Sequence, residues 1–239
     1  MNFHIQGFGA CMVGGFPHRK EDSFFHHAIQ RLQKESAHHI VPSLFTMDAF
    51  PVTRVPKHLP ARCLAAKPDI VVLQFGSSDL IVPTRRRLHH GSTRPVHREV
   101  IIQSPSLVDR WRWAFRSLVG DGLRLAPVTA PEIYLETMTQ IARTLLEHQV
   151  IPVVMSPFVF GGGRSDRIAR DCANRLRESL SGLPGAVYVD AFGALDRHPR
   201  RRMLLVDGLH LSLEGQRVLA EALYPCLKNL VDKHPGGPQ

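Results

Sequence analysis

Two residues near opposite ends of the 239-residue chain are candidates for chemistry. Cys11 lies in a glycine-rich stretch, GFGACMVGG (7–15), directly after a short apolar run. His210 lies in VDGLHLSLEGQ, three positions after Asp207. A carboxylate that holds one imidazole nitrogen leaves the other nitrogen to accept a proton. This spacing predicts that Asp207 and His210 face one cleft, with His210 as a general base. The alternative is an Asp-Gly turn that carries an incidental histidine.

Cys11 is the candidate nucleophile. The thiolate is the reactive form of cysteine, and an ordinary thiol of pKa about 8.5 is mostly protonated near neutral pH. A neighbouring histidine that takes the thiol proton makes the sulfur nucleophilic. The alternative is structural, because unpaired cysteines are often buried and Cys11 then fills a tight turn as a small apolar side chain.

Apolar runs alternate with helical patterns, which predicts one parallel sheet with right-handed crossovers. The runs DIVVLQFG (69–76) and VIPVVMS (150–156) are typical of strands buried on both faces. The predicted strands are 3–8, 39–45, 69–76, 150–156 and 186–190. The predicted helices are 22–38, 131–148, 166–180 and 213–230. Binding groups collect at the carboxyl ends of parallel strands, so the loops that follow the strands are expected to form one site.

The chain length suits a single domain that spans 1–239. The segment at about 83–128 interrupts the alternating pattern, because it is rich in Arg, His, Pro and Gly. An insertion of this length is usually functional, which makes it a candidate lid. Trp111 and Trp113, within it, either pack the insertion onto the body or contact substrate.

Three segments carry a family resemblance. Residues 207–215 read Asp-Gly-x-His-x-Ser-x-x-Gly, which resembles the last conserved block of the SGNH/GDSL hydrolase superfamily. LQFGSSDL (73–80) is similar to the third block, Gly-x-Asn-Asp after a buried strand. GACMVGG (9–15) occupies the place of the first block, Gly-Asp-Ser-x-x-x-Gly, and aligns Cys11 with the nucleophilic serine.

The resemblance implies a flavodoxin-like α/β/α sandwich with about five parallel strands, the SGNH hydrolase fold. It also implies a catalytic triad of Cys11, Asp207 and His210 that works through a covalent acyl-enzyme. In that triad His210 takes the thiol proton, and Asp207 orients and supports the imidazolium that forms.

The oxyanion-binding positions depart from the family pattern. Ser78 stands where the family's asparagine donates to the oxyanion, and Gly76 begins that block. The second-block glycine has no counterpart, and Ala49 is the best positional match. Removing one oxyanion donor typically costs a factor of about 100 to 1,000. The chain has therefore lost catalysis, formed its oxyanion-binding site from other groups, or catalyses a reaction that needs less stabilisation of the oxyanion.

The favoured function is acyl hydrolysis or acyl transfer from an ester or thioester. A cysteine nucleophile suits thioester exchange, because its own intermediate is a thioester. The formal net charge of +9 suits an acidic, phosphopantetheine-bearing donor, either coenzyme A or an acyl carrier protein. One alternative is a plain esterase of a small acylated substrate. The other is a catalytically degenerate domain that binds a ligand or a partner protein.

Several function classes are disfavoured by composition. The four cysteines are scattered without CxxC pairs, which predicts a reducing, cytoplasmic setting. We identify no secretion signal and no apolar run long enough to span a membrane. The histidine pairs are adjacent and point in different directions, so we predict no metal, and the resemblance implies no cofactor. Aromatic residues are not interleaved with the arginine clusters, which argues against nucleic acid.

Overall fold

The sheet has five parallel strands. The computed structural model describes residues 2–47, 51–80, 126–158, 163–205 and 210–233. The strands are β1 (Asn2–Gly9), β2 (His39–Thr46), β3 (Ile70–Gln74), β4 (Ile151–Met155) and β5 (Val187–Val189). Their order is β2-β1-β3-β4-β5, and each neighbouring pair is parallel. This confirms the predicted α/β class. The strand order reverses beside β1, and ligands bind open α/β sheets at such a reversal.

Seven α-helices lie within the residues that the structure describes. They are α1 (Phe24–Glu35), α2 (Val55–Arg62), α3 (Pro131–Glu147), α4 (Gly163–Ser181), α5 (Ala191–Asp196), α6 (Arg200–Met203) and α7 (Leu213–Lys233). Across these same residues, we find no helix with the length and apolar character that crossing a bilayer requires. Nearly all of the predicted insertion at about 83–128 falls outside the described residues.

Helices cover both faces of the sheet. Successive side chains of β1 point to opposite faces, so neighbouring residues show what packs on each side. A Cβ placed on Gly7 would lie 3.1 Å from the ring of Phe25 in α1. On the other face, Gln6 Nε2 donates to the carbonyl oxygen of Arg62 at the end of α2, at 2.9 Å. The molecule therefore has the three α/β/α layers that the sequence predicts.

The core lies between the sheet and these helices. All five residues of β3 are buried, as the uninterrupted apolar run predicts. The helical pattern of 131–148 predicts Ile133 as a core residue. That prediction was wrong, because Ile133 in α3 is 48% exposed. The buried stripe of α3 runs instead through Tyr134, Met138 and Ile141, and Ile133 in the first turn lies outside it. Tyr134, at the start of this stripe, donates its hydroxyl to the carbonyl oxygen of Phe75, directly after β3, at 3.4 Å.

Candidate active site

Cys11 lies at the carboxyl end of β1. It begins a 3-10 turn, Cys11–Gly14, immediately after the strand. The N–H of Ala10 donates to the carbonyl oxygen of Gln74 at 2.9 Å, and the N–H of Met47 donates to that of Gly9 at 2.8 Å. These bonds hold the end of β1 to β3 on one side and to the end of β2 on the other. The strands β2 and β3, on either side of β1, therefore hold the backbone that leads into the half-buried Cys11.

The glycines around Cys11 are required by close backbone packing. A Cβ on Gly9 would lie 2.4 Å from the carbonyl oxygen of Gln74, a separation that real Cβ atoms do not show. Gly15 adopts a φ of +83°, in the left-handed region, and its Cβ would lie 2.5 Å from the carbonyl oxygen of Arg19. The stretch is glycine-rich because the chain turns sharply against its neighbours while it presents Cys11.

His210 lies in a short extended segment directly before α7. The N–H of Leu205 donates to the carbonyl oxygen of His210, and the N–H of Ser212 donates to that of Met203, each at 2.8 Å. Ser212 Oγ accepts from the N–H of Gly215 at 3.0 Å, which caps the first turn of α7. The backbone from the His210 carbonyl to Ser212 is therefore held in place.

The fold brings Cys11 and His210 together. Cys11 Sγ lies 3.6 Å from His210 Nε2, a hydrogen-bonding distance for sulfur, although the two residues are 199 positions apart. The ring of Phe16 meets the His210 ring edge to face, with centroids 5.0 Å apart and an interplanar angle of 68°. Asp207, the predicted third member of the group, lies outside the described residues.

Two of the three predicted oxyanion residues, Gly76 and Ser78, lie in the turn that follows β3. Gly76 has a φ of +106°, and a Cβ there would lie 2.7 Å from Pro157 and 2.9 Å from the Tyr134 ring. Ser77 is buried, and its hydroxyl accepts from Gln74 Nε2 at 3.3 Å. Ser78 is half-buried and so is the more accessible of the two serines. Ala49 lies outside the described residues.

Comparison with known proteins finds similarity in structure only. No protein-family model matches the sequence, and no curated protein matches it significantly. The lipase/acylhydrolase from Enterococcus faecalis is 14% identical with a TM-score of 0.64, over 95% of this chain and 96% of that chain. A putative lipolytic protein of the G-D-S-L family from Desulfitobacterium hafniense is 14% identical with a TM-score of 0.60, over 94% and 99%. The chain has the SGNH/GDSL hydrolase fold.

A third SGNH-fold structure is an acetylxylan esterase from Geobacillus stearothermophilus. It is 14% identical with a TM-score of 0.62, and the match covers 93% of each chain. Structures of its catalytic mutants replace a serine, an aspartate and a histidine by alanine. In that esterase the aspartate stands three positions before the histidine. The fold predicted from the sequence resemblance is thus confirmed.

Gly9→Ala tests whether the close backbone packing at the end of β1, beside Cys11, requires a glycine. We expect Gly9→Ala to lower the free energy of unfolding by about 1–3 kcal/mol, since extra volume in a packed site forces the backbone to move. Gly182→Ala is the matched control, because its Cβ would meet only the carbonyl oxygen of Ser179, at 3.6 Å. Urea denaturation measures both variants. Equal stability of the two variants would contradict this account.

Asp79 is a neighbour of the candidate site that the sequence analysis did not single out, although it lies in the quoted stretch LQFGSSDL (73–80). Its Oδ1 accepts from the N–H of Val52 and from Thr129 Oγ1, each at 2.8 Å. Its Oδ2 is buried and has no hydrogen-bond partner in the described part of the chain. Burial raises the pKa of Asp79, and the two hydrogen bonds act in the opposite direction. Asp79 therefore joins the turn of Ser78 to the loop that follows β2.

Asp79→Asn removes the titrating carboxyl and keeps an acceptor oxygen for Val52 and Thr129. Because burial raises the pKa of Asp79 above its ordinary value of 3.8, the folded protein binds this proton more tightly than the unfolded chain. The resulting stability is present below that ordinary pKa and is lost as the pH rises through the folded pKa. We expect the wild-type unfolding free energy to fall relative to Asp79→Asn across this window. Urea denaturation at a series of acidic pH values measures it, and parallel curves would contradict the prediction.

The other three cysteines lie in surroundings that suppress ionisation. Burial raises the pKa of Cys63 and of Cys172 to about 12. Burial also raises the pKa of the half-buried Cys226. Among the hydrogen bonds of the described residues, Cys11 is the one of the four thiols that lies within hydrogen-bonding distance of an imidazole. Among the described residues, no three His, Cys, Asp or Glu side chains are grouped to hold a metal ion.

Proposed function

We propose that this chain is an acyl hydrolase or acyltransferase that acts on ester or thioester substrates through Cys11. His210 serves as the general base and acid, and Asp207 orients it. One observation carries the proposal, the 3.6 Å separation between Cys11 Sγ and His210 Nε2 at the carboxyl edge of an SGNH-type sheet. Nucleophile and base within hydrogen-bond reach are the signature of covalent catalysis.

The reaction divides into two half-reactions. His210 Nε2 takes the thiol proton, Sγ attacks the carbonyl carbon of the donor, and the carbonyl electrons move onto its oxygen. As the carbonyl re-forms, the bond to the donor's sulfur or oxygen breaks, and the leaving group takes the proton from the imidazolium. Water or an acceptor then gives its proton to His210 and attacks the Cys11 thioester, which releases the acyl group and restores the thiol.

The role of Asp207 is supported by sequence spacing. It stands three positions before His210, as the catalytic aspartate does before the catalytic histidine of the acetylxylan esterase. A carboxylate in this position holds the imidazole in the tautomer that leaves the nitrogen facing the nucleophile able to take a proton. Ser78, Gly76 and Ala49 are the residues that we assign to the oxyanion and the bound acyl group.

A thioester donor fits the chemistry of Cys11 best. Exchange of an acyl group between two thiols leaves one thioester in place of another, so little free energy separates donor and acyl-enzyme. The formal net charge of +9 favours an acidic donor. An acyl group carried by coenzyme A or by an acyl carrier protein combines both properties, and an acylated small molecule is the substrate of the plain esterase.

Mass spectrometry of the acyl-enzyme tests the proposal. After incubation with an acyl-coenzyme A and an acid quench, we expect the peptide that contains Cys11 to gain the mass of the acyl group. Cys11→Ala should abolish the gain, and Cys226→Ala should retain it, because Cys226 is the other half-buried thiol. No gain on Cys11, with no free coenzyme A released, would contradict the proposal and favour a catalytically degenerate binding domain.

A further inference from the structure

The segment that follows Cys11 runs against the segment that carries His210. Phe16 packs its ring against the His210 ring, as described above. Two residues further on, His18 Nε2 lies 3.0 Å from the carbonyl oxygen of Leu211. A carbonyl oxygen only accepts, so His18 must carry a proton on Nε2 and donate it there. The two contacts fall on consecutive residues, His210 and Leu211.

His18 is tied to Cys11 through a continuous set of backbone hydrogen bonds. The N–H of Phe16 donates to the carbonyl oxygen of Cys11 at 3.2 Å, and the N–H of His18 donates to that of Gly15 at 2.8 Å. Gly15 in turn donates to Met12 at 3.0 Å and also turns the chain through its positive φ. The turn that presents the thiol therefore also presents the His18 imidazole.

Leu211 is held from two directions. Leu211 is fully buried and forms an isolated antiparallel bridge with Leu204. That bridge fixes one edge of the His210 segment, and the His18 imidazole donates to the carbonyl of the same residue. The path from Cys11 through His18 and Leu211 to His210 closes a ring of contacts around the 3.6 Å separation of Sγ and Nε2.

We infer that His18 is a positioning residue, whose hydrogen bond to Leu211 holds the His210 imidazole within reach of the Cys11 thiol. The inference rests on the proposed function, in which His210 activates Cys11. His18 acts through the backbone of Leu211, the residue beside His210. A displacement of about 1 Å between reacting groups costs as much as a hundredfold in rate. Loss of the hydrogen bond between His18 and Leu211 should therefore lower the reaction rate of Cys11 measurably.

The test compares two replacements of His18 by the rate at which iodoacetamide alkylates Cys11 at pH 6. His18→Leu removes the donor, and His18→Gln keeps an N–H at a similar reach. We expect His18→Leu to lower the rate about tenfold and His18→Gln to stay within about twofold of the wild type. Circular dichroism and urea denaturation establish that each variant is folded. If His18→Leu does not fold, His18→Asn replaces it, because its shorter amide does not reach Leu211.

A double-mutant cycle separates positioning from a general structural effect. In a His210→Ala background the hydrogen bond from His18 to Leu211 has no imidazole to position. We therefore expect His18→Leu to cause no further loss of alkylation rate there. An undiminished loss in that background would overturn the inference, as would wild-type alkylation by His18→Leu alone. If the wild type and His210→Ala are alkylated equally, the proposed function fails and this inference fails with it. If the alkylation rate depends on His210 but not on His18, only this inference is overturned and the proposed function stands.

Discussion

His210→Ala will slow the acylation of Cys11 by an acyl-coenzyme A by a factor of about 100 to 10,000, the usual contribution of a positioned general base. The imidazole lies 3.6 Å from the sulfur and is the group placed to take its proton. Without it the thiol must ionise into solvent, and the leaving group loses its proton donor. The rate is measured under single-turnover conditions by the release of coenzyme A.

A second histidine variant controls for the loss of any imidazole. His148 is exposed at the end of α3, and its Nδ1 lies 2.9 Å from the carbonyl oxygen of Thr144 in the same helix. We expect His148→Ala to acylate at the wild-type rate. Equal rates for the wild type and His210→Ala would remove the base from the mechanism, whatever the geometry of the site.

Cys11→Ser will distinguish between two activities, acyl transfer from a thioester and plain hydrolysis of an ester. We expect this variant to lose about 100-fold or more of its acyl transfer from thioesters, because a hydroxyl is a far weaker nucleophile near neutral pH than a thiol. The acyl group would also move from sulfur to oxygen, and the resulting ester reacts more slowly with amine or thiol acceptors. Rates with an acyl-coenzyme A and with an aryl ester of the same acyl group measure the two reactions side by side.

Cys226→Ser is the matched control for Cys11→Ser. Cys226 is half-buried in α7, and burial raises the pKa of its thiol, so its replacement should leave both rates unchanged. If Cys11→Ser keeps or gains ester hydrolysis while thioester transfer is negligible in every variant, the chain is a plain esterase that carries a cysteine. That outcome would contradict the thioester donor and leave the triad in place.

Most of the sheet could be predicted because its signals are local. β3 is an unbroken apolar run, and such runs arise where both faces of a strand are covered. The helix α2 was not predicted, since Pro56 and Pro60 interrupt its helical pattern. In the structure Pro56 lies in the first turn, where the missing N–H costs nothing, and burial of Val55 and Leu59 stabilises the remainder.

The sequence proposes residues for the candidate site, but it does not indicate the contacts that hold them. Cys11 and His210 were found because sequence blocks carry them in the order of the SGNH family. The contacts of Phe16 and His18 with the His210 segment join positions that no sequence pattern relates. Asp79 was visible in the sequence, but its burial and its bonds to Val52 and Thr129 depend on three separate segments.

The pH dependence of Cys11 alkylation tests the central claim most directly, because it reports on the thiol without any assumption about the substrate. The account predicts rapid labelling of Cys11 below pH 7, slow labelling of the other three cysteines, and loss of the rapid reaction in His210→Ala. A rate that rises with pH like that of an ordinary thiol of pKa about 8.5, and that is the same in His210→Ala, would contradict it.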